Sequence, residues 1–388
     1  MKKIVVATAT RAEYGLLAPI IKKFQNDPDI DVRVVATGAH LSPEFGMTVK
    51  EIEYDGVIID KKIEMLMSSD TSVGISKSMG LALISFAEYF DESKPDALMV
   101  LGDRYEMLAI ACAAMNARIP IIHLSGGEAT EGAIDEYIRN AITKMSFLHF
   151  TSTETYRNRV IQMGEAPDRV FCVGSMGVEN AKNIQFLNKE ELERAIGFLL
   201  GSQYAVLTFH PVTLENNTAK YEVEELMQAI SKYPEITFLC TKANADTDGR
   251  IINACIEEYS QKNSNIILIA SLGVQKYLSA LKYAQFVIGN SSSGIVEAPS
   301  FKIPTINIGD RQLGRIQADS VINCNAIEKE IISAIEYSLS REFKIKLKDV
   351  KNPYGDGDTS SKIVSITKDF LMNSRINMKK KFYDIFNR

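Results

Sequence analysis

Several carboxylate side chains are concentrated in one glycine-rich stretch of the sequence. Glu128, Glu131 and Asp135 closely follow the pair Gly126-Gly127. Two consecutive glycines allow a backbone to approach a ligand closely, and a carboxylate at such a place can take a proton from a carbon atom. A carboxylate in the first turn of a helix also suits the helix dipole whatever the protein does, so Asp135 has a structural explanation as well. The spacing alone does not identify the base.

A second group of ionisable side chains follows other apolar runs. Asp103 and Arg104 come after Gly102, and two of the four histidines, His40 and His210, stand at similar places. Aspartate and arginine at a sheet edge cannot both be buried without partners, so they form either a structural ion pair or part of a site. We expect a site. A lone histidine after a strand is often structural, so the two histidines are suggestive and not decisive.

The segment 289–294 (GNSSSG) has the residue types of a phosphate-binding loop. Small hydroxyls and backbone N–H groups at a helix start suit a diphosphate, whereas a simple capping turn would need one serine rather than three. Arg11 stands at a predicted helix start and Arg311 after a predicted strand, where guanidinium groups could bind phosphate oxygens. Glu297, one helical turn beyond the serines, could accept hydrogen bonds from ribose hydroxyls.

The elements that carry these residues alternate between strand and helix. Lys3–Ala7 is apolar without polar alternation, as expected of a strand covered on both faces, and Glu13–Gln25 has apolar residues at helical spacing. The pattern restarts at Tyr204–Phe209, and Pro304–Ile308 is the last strand we expect. This predicts an α/β fold of two Rossmann-like domains. Their expected extents are residues 1–185 and 186–370, followed by a basic, solvated C-terminal tail, 371–388, that contains three consecutive lysines.

Nearly all of the unusual polar residues fall just after predicted strands. In open parallel sheets ligands bind beyond the carboxyl ends of the strands, where the strand order reverses. Two such domains facing each other would create one central cleft. We therefore expect one ligand site that both domains line.

Composition excludes several classes of protein. With 388 residues and 46% hydrophobic content the chain is long enough for two packed domains, and its net charge of −5 disfavours a nucleic-acid or membrane-surface role. Five scattered cysteines without CxxC spacing favour a reducing, cytoplasmic location over a disulfide framework. No apolar run is long enough to span a membrane. We find no metal-ligand spacing, and the first strand lacks the GxGxxG turn of dinucleotide-binding proteins.

Taken in order, these residues resemble the UDP-N-acetylglucosamine 2-epimerase family, and more closely its hydrolysing branch, which feeds the synthesis of sialic-acid-type sugars. The resemblance covers about residues 1–356. It implies the two-domain GT-B fold, with neither a metal nor a nicotinamide cofactor. The matching segments are TRAEYG (10–15), TGAHL (37–41), GDRYE (102–106), GGE…GAIDE..RN..TK (126–144), HPVT (210–213), GNSSSGI.E (289–297) and INIGDRQ.GR (306–315).

The resemblance also implies a reaction. A carboxylate takes the proton from sugar C2 while UDP departs from C1, and water adds to the resulting glycal to release the free manno-configured sugar. The catalytic residues implied are Asp103 and Asp135 in proton transfer and His210 against the departing diphosphate. Because Ser125 replaces a glutamate, the neighbouring Glu128 is a further candidate for the base. The substrate contacts implied are Arg11, Ser291 and Ser292 on the diphosphate, Glu297 on the ribose, Arg311 near the sugar or diphosphate, and His40 and Arg104 on the sugar side. We also expect Ser125 and Arg139 to contact the substrate.

Two positions depart from the family pattern. Ser125 stands where many members have glutamate before the Gly-Gly pair, and Asn140 stands where several have histidine. A serine is a far poorer base than a carboxylate. Both changes fall on the sugar side, so they bear on which sugar is used more than on whether a nucleotide-sugar binds.

The function we expect is a hydrolysing 2-epimerase that converts UDP-N-acetylglucosamine to N-acetylmannosamine and UDP. The alternative substrate is UDP-N,N'-diacetylbacillosamine, on the legionaminic-acid route. Two other hypotheses are a GT-B glycosyltransferase and a catalytically silent nucleotide-sugar-binding module. The resemblance further implies a homo-oligomer, a dimer or a tetramer.

Overall fold

Two parallel sheets organise the chain. The computed structural model describes residues 1–67, 69, 71–131, 133–212, 218–243, 249–373 and 376–385. Gly132 and Thr213, which belong to two of the sequence motifs, lie outside these residues. The chain divides into a first unit, Met1–Glu128, Asp135–Glu179 and Tyr354–Arg388, and a second unit, Ala129–Ile134 and Asn180–Pro353.

The first unit is built on a seven-stranded sheet. Its parallel strands are β1 (Lys2–Thr8), β2 (Ile30–Thr37), β3 (Ile59–Ile63), β4 (Ala97–Leu101), β5 (Ile121–Leu124), β6 (Leu148–Thr151) and β7 (Val170–Cys172), in the order β3-β2-β1-β4-β5-β6-β7. Its helices are α1 (Arg11–Gln25), α2 (Val49–Tyr54), α3 (Ser72–Ser93), α4 (Tyr105–Asn116), α5 (Asp135–Met145) and α6 (Glu154–Gln162), and α7 (Met176–Asn183) crosses the division between the units.

The second unit repeats the plan with six strands. They are β8 (Tyr204–Thr208), β9 (Thr237–Thr241), β10 (Ile266–Ile269), β11 (Val287–Gly289), β12 (Thr305–Ile308) and β13 (Val321–Cys324), in the order β10-β9-β8-β11-β12-β13. Its helices are α8 (Lys189–Ile196), α9 (Ala219–Ile230), α10 (Gly249–Lys262), α11 (Gly273–Tyr283), α12 (Ser292–Val296), α13 (Glu328–Leu339) and α14 (Arg341–Lys346). The expectation that Pro304–Ile308 is the last strand is wrong, because β13 follows and pairs with β12.

Each sheet has a hydrophobic core on both faces. In β1, Ile4 and Val6 belong to one core cluster, and the alternating Val5 and Ala7 belong to another. All four side chains are fully buried. Since successive side chains of a strand point to opposite faces, an uninterrupted apolar run is what a strand covered on both sides requires. This is why the run at Lys3–Ala7 could be read from the sequence.

The last helix belongs to the first unit, which differs from the predicted domain extents. The expected second domain included residues up to 370, but the chain returns to the first unit at Tyr354. The physical reason is α15 (Thr359–Asn373), whose buried Ile363 and Leu371 pack into the core around α1. Lys368 also forms an ion pair of 2.9 Å with Asp27, just beyond the end of α1.

The basic C-terminal segment is anchored to the first unit at Lys380, while most of its described residues are exposed as expected of a solvated tail. The ammonium group of Lys380 donates to the carbonyls of Lys144 and Ser146, at 2.9 and 2.6 Å. It also lies 2.7 Å from the carboxylate of Glu165, which is fully buried. A buried carboxylate needs cationic partners, so this segment is tied to the first unit by charge as well as by packing.

Candidate functional site

The order of strands locates the point of reversal in each sheet. In the first sheet β1 lies between β2 and β4, and in the second β8 lies between β9 and β11. Ligands of such sheets bind beyond the carboxyl ends of the strands flanking that reversal. The residues that follow β1, β4, β8 and β11 are therefore the first to consider.

A capping box forms the turn after β1. The Thr10 side chain accepts from the Glu13 N–H at 3.3 Å, and the Glu13 carboxylate accepts from the N–H groups of Ala9 and Thr10 at 2.7 and 3.1 Å. Arg11 begins α1, with a side chain that is 22% exposed and lies 3.7 Å from Glu51. Burial lowers the pKa of Arg11, although the Glu51 charge opposes that shift. Arg11 thus keeps part of its guanidinium accessible for an anion.

Glu13 and Glu106 form a buried pair of acids near the β1 and β4 ends. Arg104 binds Glu106 through Nε and Nη2, at 3.1 and 3.3 Å. Burial raises the pKa of Glu13 to about 7, and the charge of Glu106 adds to the effect while that of Arg104 opposes it. The Oε1 atom of Glu13 is buried without a hydrogen-bond partner. Arg104 therefore has a structural partner within its own turn.

Arg139 holds together the acids that follow β4 and β5. Its side chain is 1% exposed and forms an ion pair with Asp103, whose side chain is 23% exposed. The same guanidinium donates to the carbonyl of Glu128 and to the carboxylate of Glu136, both at 2.8 Å. Burial opposes the charge on Arg139, but the carboxylates of Asp103 and Glu128 outweigh it and raise the pKa. Asp103 is thus fixed in place with part of its surface exposed.

The turn after β5 is held in a strained conformation. Ser125 has a φ of 67°, and its N–H donates to the Phe150 carbonyl at 2.8 Å. Gly127 has a φ of 77°, and a Cβ atom there would collide with the carbonyl oxygen of Tyr156. Left-handed backbone at a residue other than glycine is costly and is often found at functional sites. Glu128 follows, buried, and accepts from the Ser152 hydroxyl at 3.0 Å.

His40 lies beneath the edge of the first sheet rather than on its surface. It is fully buried, and its ring nitrogens contact the hydroxyls of Thr8 and Thr48 at 3.0 and 2.9 Å. Burial lowers its pKa to about 4, so the ring is neutral at physiological pH. His123 is equally buried, with Nε2 2.8 Å from the Gly102 carbonyl and a pKa lowered to about 4 by burial. Both rings hold the turns in place.

The second sheet brings His210 and Arg311 together around Asn290. The Asn290 side chain accepts from the His210 N–H and donates to the His210 carbonyl, both at 2.7 Å. The Asn290 carbonyl accepts from Arg311 Nη1 at 3.1 Å and from Gln312 Nε2 at 2.8 Å. The loops after β8, β11 and β12 are therefore joined at one residue.

The serine-rich loop follows directly. Ser291 caps α12, and its hydroxyl accepts from the Ser293 N–H at 3.4 Å. Ser292 is the first residue of α12, and Glu297 caps its end. Ser291, Ser292 and Glu297 are all half-buried, so each is within reach of solvent. The Ser291 hydroxyl is therefore used in capping, and Ser292 is partly exposed at the start of α12.

A family model described as UDP-N-acetylglucosamine 2-epimerase matches residues 22–368. The chain belongs to this family. Its similarity to a GDP/UDP-N,N'-diacetylbacillosamine 2-epimerase (hydrolyzing) of Campylobacter jejuni is 46% identity over 88% of this chain and 89% of that protein. A polysialic acid biosynthesis protein P7 of Escherichia coli is 41% identical over 99% of this chain and 98% of its own length.

Among solved structures, the UDP-GlcNAc 2-epimerase of Neisseria meningitidis bound to UDP-GlcNAc aligns with a TM-score of 0.79. It is 22% identical, and the alignment covers 95% of this chain and 100% of that one. At this identity the likeness shows the fold. The fold class predicted for this chain, two Rossmann-like α/β domains of the GT-B type, is confirmed. That both domains line one cleft stays a prediction.

The structure connects some of the residues predicted for the epimerase and leaves others apart. In the first unit Asp103, Glu128 and Arg139 form one network, Asp135 is the first residue of α5, and His40 lies in the interior, away from this network. In the second unit the loops of His210, Ser291 and Arg311 meet at Asn290. Their catalytic and binding roles stay predictions.

Four residues at these edges were not predicted from the sequence: Glu13, Glu106, Asn290 and Gln312. Glu13 had a readable signal, since Thr10 and Glu13 have the spacing of a capping box at a strand end. Asn290 had a weaker one, because an amide placed just before a serine-rich loop does not reveal which peptide it will bind. Within the described residues, no cluster of three His, Cys, Asp or Glu side chains could hold a metal ion. No helix of the described chain is long and apolar enough to cross a membrane.

Proposed function

We propose that this chain is a hydrolysing UDP-sugar 2-epimerase. The observation that carries the proposal is the Asp103–Arg139 ion pair at the carboxyl edge of β4, in a chain of the 2-epimerase family. Asp103 is anchored by a buried guanidinium and yet partly exposed, which is the situation a positioned general base requires. The relatives named hydrolyzing support the same branch of the family.

In the proposed reaction a carboxylate removes the proton from C2 of the sugar. A C1–C2 double bond forms as the C1–O bond to UDP breaks, and the bonding electrons leave with UDP. Water then adds its hydroxyl to C1, and a proton returns to C2 on the opposite face. Asp103 and Asp135 are the proposed proton-transfer residues, with Glu128 as a further candidate, although its Ser152 contact and burial favour a structural part.

We assign the nucleotide to the second unit. Arg311, Ser291 and Ser292 are proposed to bind the diphosphate, with Arg11 of the first unit as a further contact and His210 next to the leaving group. Positive and N–H groups at that position would stabilise the charge that develops on UDP, commonly worth several kcal/mol. Glu297 is proposed to bind the ribose. Arg104 and Ser125 are proposed on the sugar side.

Two sugars are candidates for the substrate. UDP-N-acetylglucosamine, which would yield N-acetylmannosamine, is the first. UDP-N,N'-diacetylbacillosamine is the second, and the name of the relative at 46% identity favours it. Ser125 and Asn140 differ from the family pattern on the proposed sugar side, as a change of sugar would require. The name of the polysialic acid biosynthesis relative supports a place for the free sugar in the synthesis of sialic-acid-type sugars.

Product analysis by NMR in heavy water tests the proposal. Incubation with each UDP-sugar and no acceptor should release UDP and a free sugar that carries deuterium at C2. Asp103→Asn and His210→Asn should lower the rate by at least about a hundredfold, as loss of a general acid or base commonly does. Asp369→Asn, an exposed position on α15, is the control and should have the wild-type rate. Turnover that needs a sugar acceptor would instead indicate a glycosyltransferase.

We also propose a cytoplasmic homo-oligomer, either a dimer or a tetramer. All five cysteines are free, as a reducing compartment favours. Helix α3 exposes Val73, Leu81 and Ile84, at 61%, 46% and 61%, which is a suitable surface for a second copy. Light scattering of the wild type and of a Leu81→Glu, Ile84→Glu variant tests this, and an unchanged mass would contradict the use of α3.

A further inference from the structure

Asn290 has its polar groups engaged by the backbone and side chains around it. It is 1% exposed and follows β11. Its own N–H donates to the Thr208 carbonyl at 3.2 Å, and its side chain binds both the N–H and the carbonyl of His210 at 2.7 Å. Its carbonyl accepts from two side chains of the loop after β12. A residue so engaged is suited to hold other groups rather than to contact substrate.

The side-chain amide is the group that this arrangement needs. The peptide of His210 presents one donor and one acceptor, and a carboxamide offers one acceptor and one donor in the same plane. Aspartate keeps the acceptor but, when ionised, places a second oxygen against the His210 carbonyl. Serine is too short to reach both atoms. The pairing therefore fixes the backbone of His210 relative to the end of β11.

The second set of contacts brings in Arg311. Its Nη1 donates to the Asn290 carbonyl at 3.1 Å, and the neighbouring Gln312 donates to the same oxygen at 2.8 Å. Gln312 is fully buried, so its amide is a rigid support for this oxygen. Asn290 thus links the two residues that we assign to the leaving diphosphate.

We propose that Asn290 is a positioning residue, which fixes His210 and Arg311 in the geometry that departure of the diphosphate requires. The inference rests on the proposed function. It predicts that a change at Asn290 acts on turnover and UDP binding through His210 and Arg311. A structural asparagine elsewhere in the unit would affect stability alone.

The test compares Asn290→Asp with Asn265→Asp. Asn265 precedes β10 at the opposite end of the sheet, and its amide donates to the carbonyls of Tyr233 and Ile236 at 3.1 and 3.0 Å. Both changes remove side-chain donors to backbone carbonyls within the same unit. With the UDP-sugar substrate at pH 8, Asn290→Asp should lower kcat by at least about tenfold, while Asn265→Asp should keep kcat within about twofold of wild type.

Two further measurements separate positioning from folding. A protonated aspartate can donate to the His210 carbonyl, so the rate of Asn290→Asp relative to wild type should rise as the pH falls from 8 to 5.5. In a His210→Ala background Asn290→Asp should lower kcat/KM less than in the wild type, because one of the two groups it positions is gone. Equal fold-losses in both backgrounds, or equal effects of the two asparagine changes, would overturn the inference.

UDP affinity distinguishes a failure of the inference from a failure of the proposed function. A wild type that releases no UDP from either UDP-sugar would contradict the proposed function. In that case, calorimetric measurement of UDP affinity still tests the role of Asn290. Asn290→Asp should weaken UDP binding severalfold, whereas Asn265→Asp should not. If Asn290→Asp does not fold, Gln312→Leu removes one support of the Asn290 carbonyl and should lower kcat/KM severalfold. An unchanged kcat/KM in Gln312→Leu would contradict the proposal.

Discussion

Replacing Glu13 by glutamine should change how stability depends on pH. The Glu13 carboxylate is 7% exposed, and burial together with the charge of Glu106 raises its pKa from 4.5 to about 7. Glutamine can keep the cap, because its carbonyl oxygen can accept from the N–H groups of Ala9 and Thr10 as the carboxylate does. What it removes is the charge.

The sign and size of the effect follow from the two pKa values. A raised folded-state pKa means that the native state binds more protons than the unfolded chain between about pH 4.5 and 7, so stability falls as pH rises through that window. The difference between 4.5 and about 7, at about 1.4 kcal/mol for each pKa unit, corresponds to about 3 kcal/mol. Glu13→Gln does not titrate, so its stability relative to wild type should grow by up to about 3 kcal/mol from pH 4.5 to pH 8.

Urea denaturation from pH 4.5 to pH 8 measures this difference. The amide also places a buried N–H donor where Oε1 has no partner. That cost is independent of pH, so the slope of the difference is the readout and not its value at one pH. Glu336→Gln, an exposed position on α13, is the matched control and should run parallel to wild type. A Glu13→Gln variant that also runs parallel to wild type would refute the reasoning.

Two further changes test the fold around the site. Gly127→Ala should lower the free energy of unfolding by at least about 3 kcal/mol, because it adds a collision with the Tyr156 carbonyl to the strain of a positive φ. The control is Gly56→Ala, at a φ of 74° with open space around it, which should lower the free energy of unfolding by about 1 kcal/mol. Thermal denaturation that shows equal losses would contradict this. Lys380→Met should lower the free energy of unfolding by about 3 kcal/mol by removing a partner of the buried Glu165, and a loss no larger than that of Lys379→Met would contradict it.

The sequence predicted the central strands well because their burial is complete. A strand covered on both faces has to be apolar at every position, as Val5 to Ala7 show. Two of the edge strands, β3 and β13, lack this signal. In β3 the central residues Asp60, Lys61 and Lys62 are polar, and in β13 none of the four residues is buried. An edge strand pairs with one neighbour only and can be polar, and the composition of these two does not reveal them.

The destination of the last helix could not be read for a different reason. An amphipathic helix shows which of its faces is buried and does not show which core covers that face. Ile363 and Leu371 mark the buried face of α15, but the partner helix α1 lies more than three hundred residues earlier in the chain. Because α15 follows the second domain in the sequence, we expected it to belong to that domain. In the structure it packs on the first unit.

In the candidate site, too, the sequence predicts where a residue lies along the strands and does not predict which residues surround it. The predicted strand ends place Asp103 after β4 and His210 after β8, two strands that flank a reversal of strand order, and Arg311 after β12, the next strand but one from β8. Their surroundings depended on residues from other strands, which local spacing does not reveal. His40 is the clearest example. Its ring is completely buried between two threonine hydroxyls, and the residues next to it in the sequence do not predict this environment.

The two reversal points are built with different chemistry, and this difference has a consequence. In the first unit the turn after β1 is held by the carboxylate of Glu13, whose pKa is raised to about 7 by burial. In the second unit the turn after β8 is held by the amide of Asn290, which does not titrate at all. Protonation of Glu13 near neutral pH should therefore change the β1 turn and the position of Arg11. The geometry of the His210 loop should stay the same. Under the proposed roles, pH should act on the contact of Arg11 with the diphosphate and leave the contacts from the His210 loop unchanged.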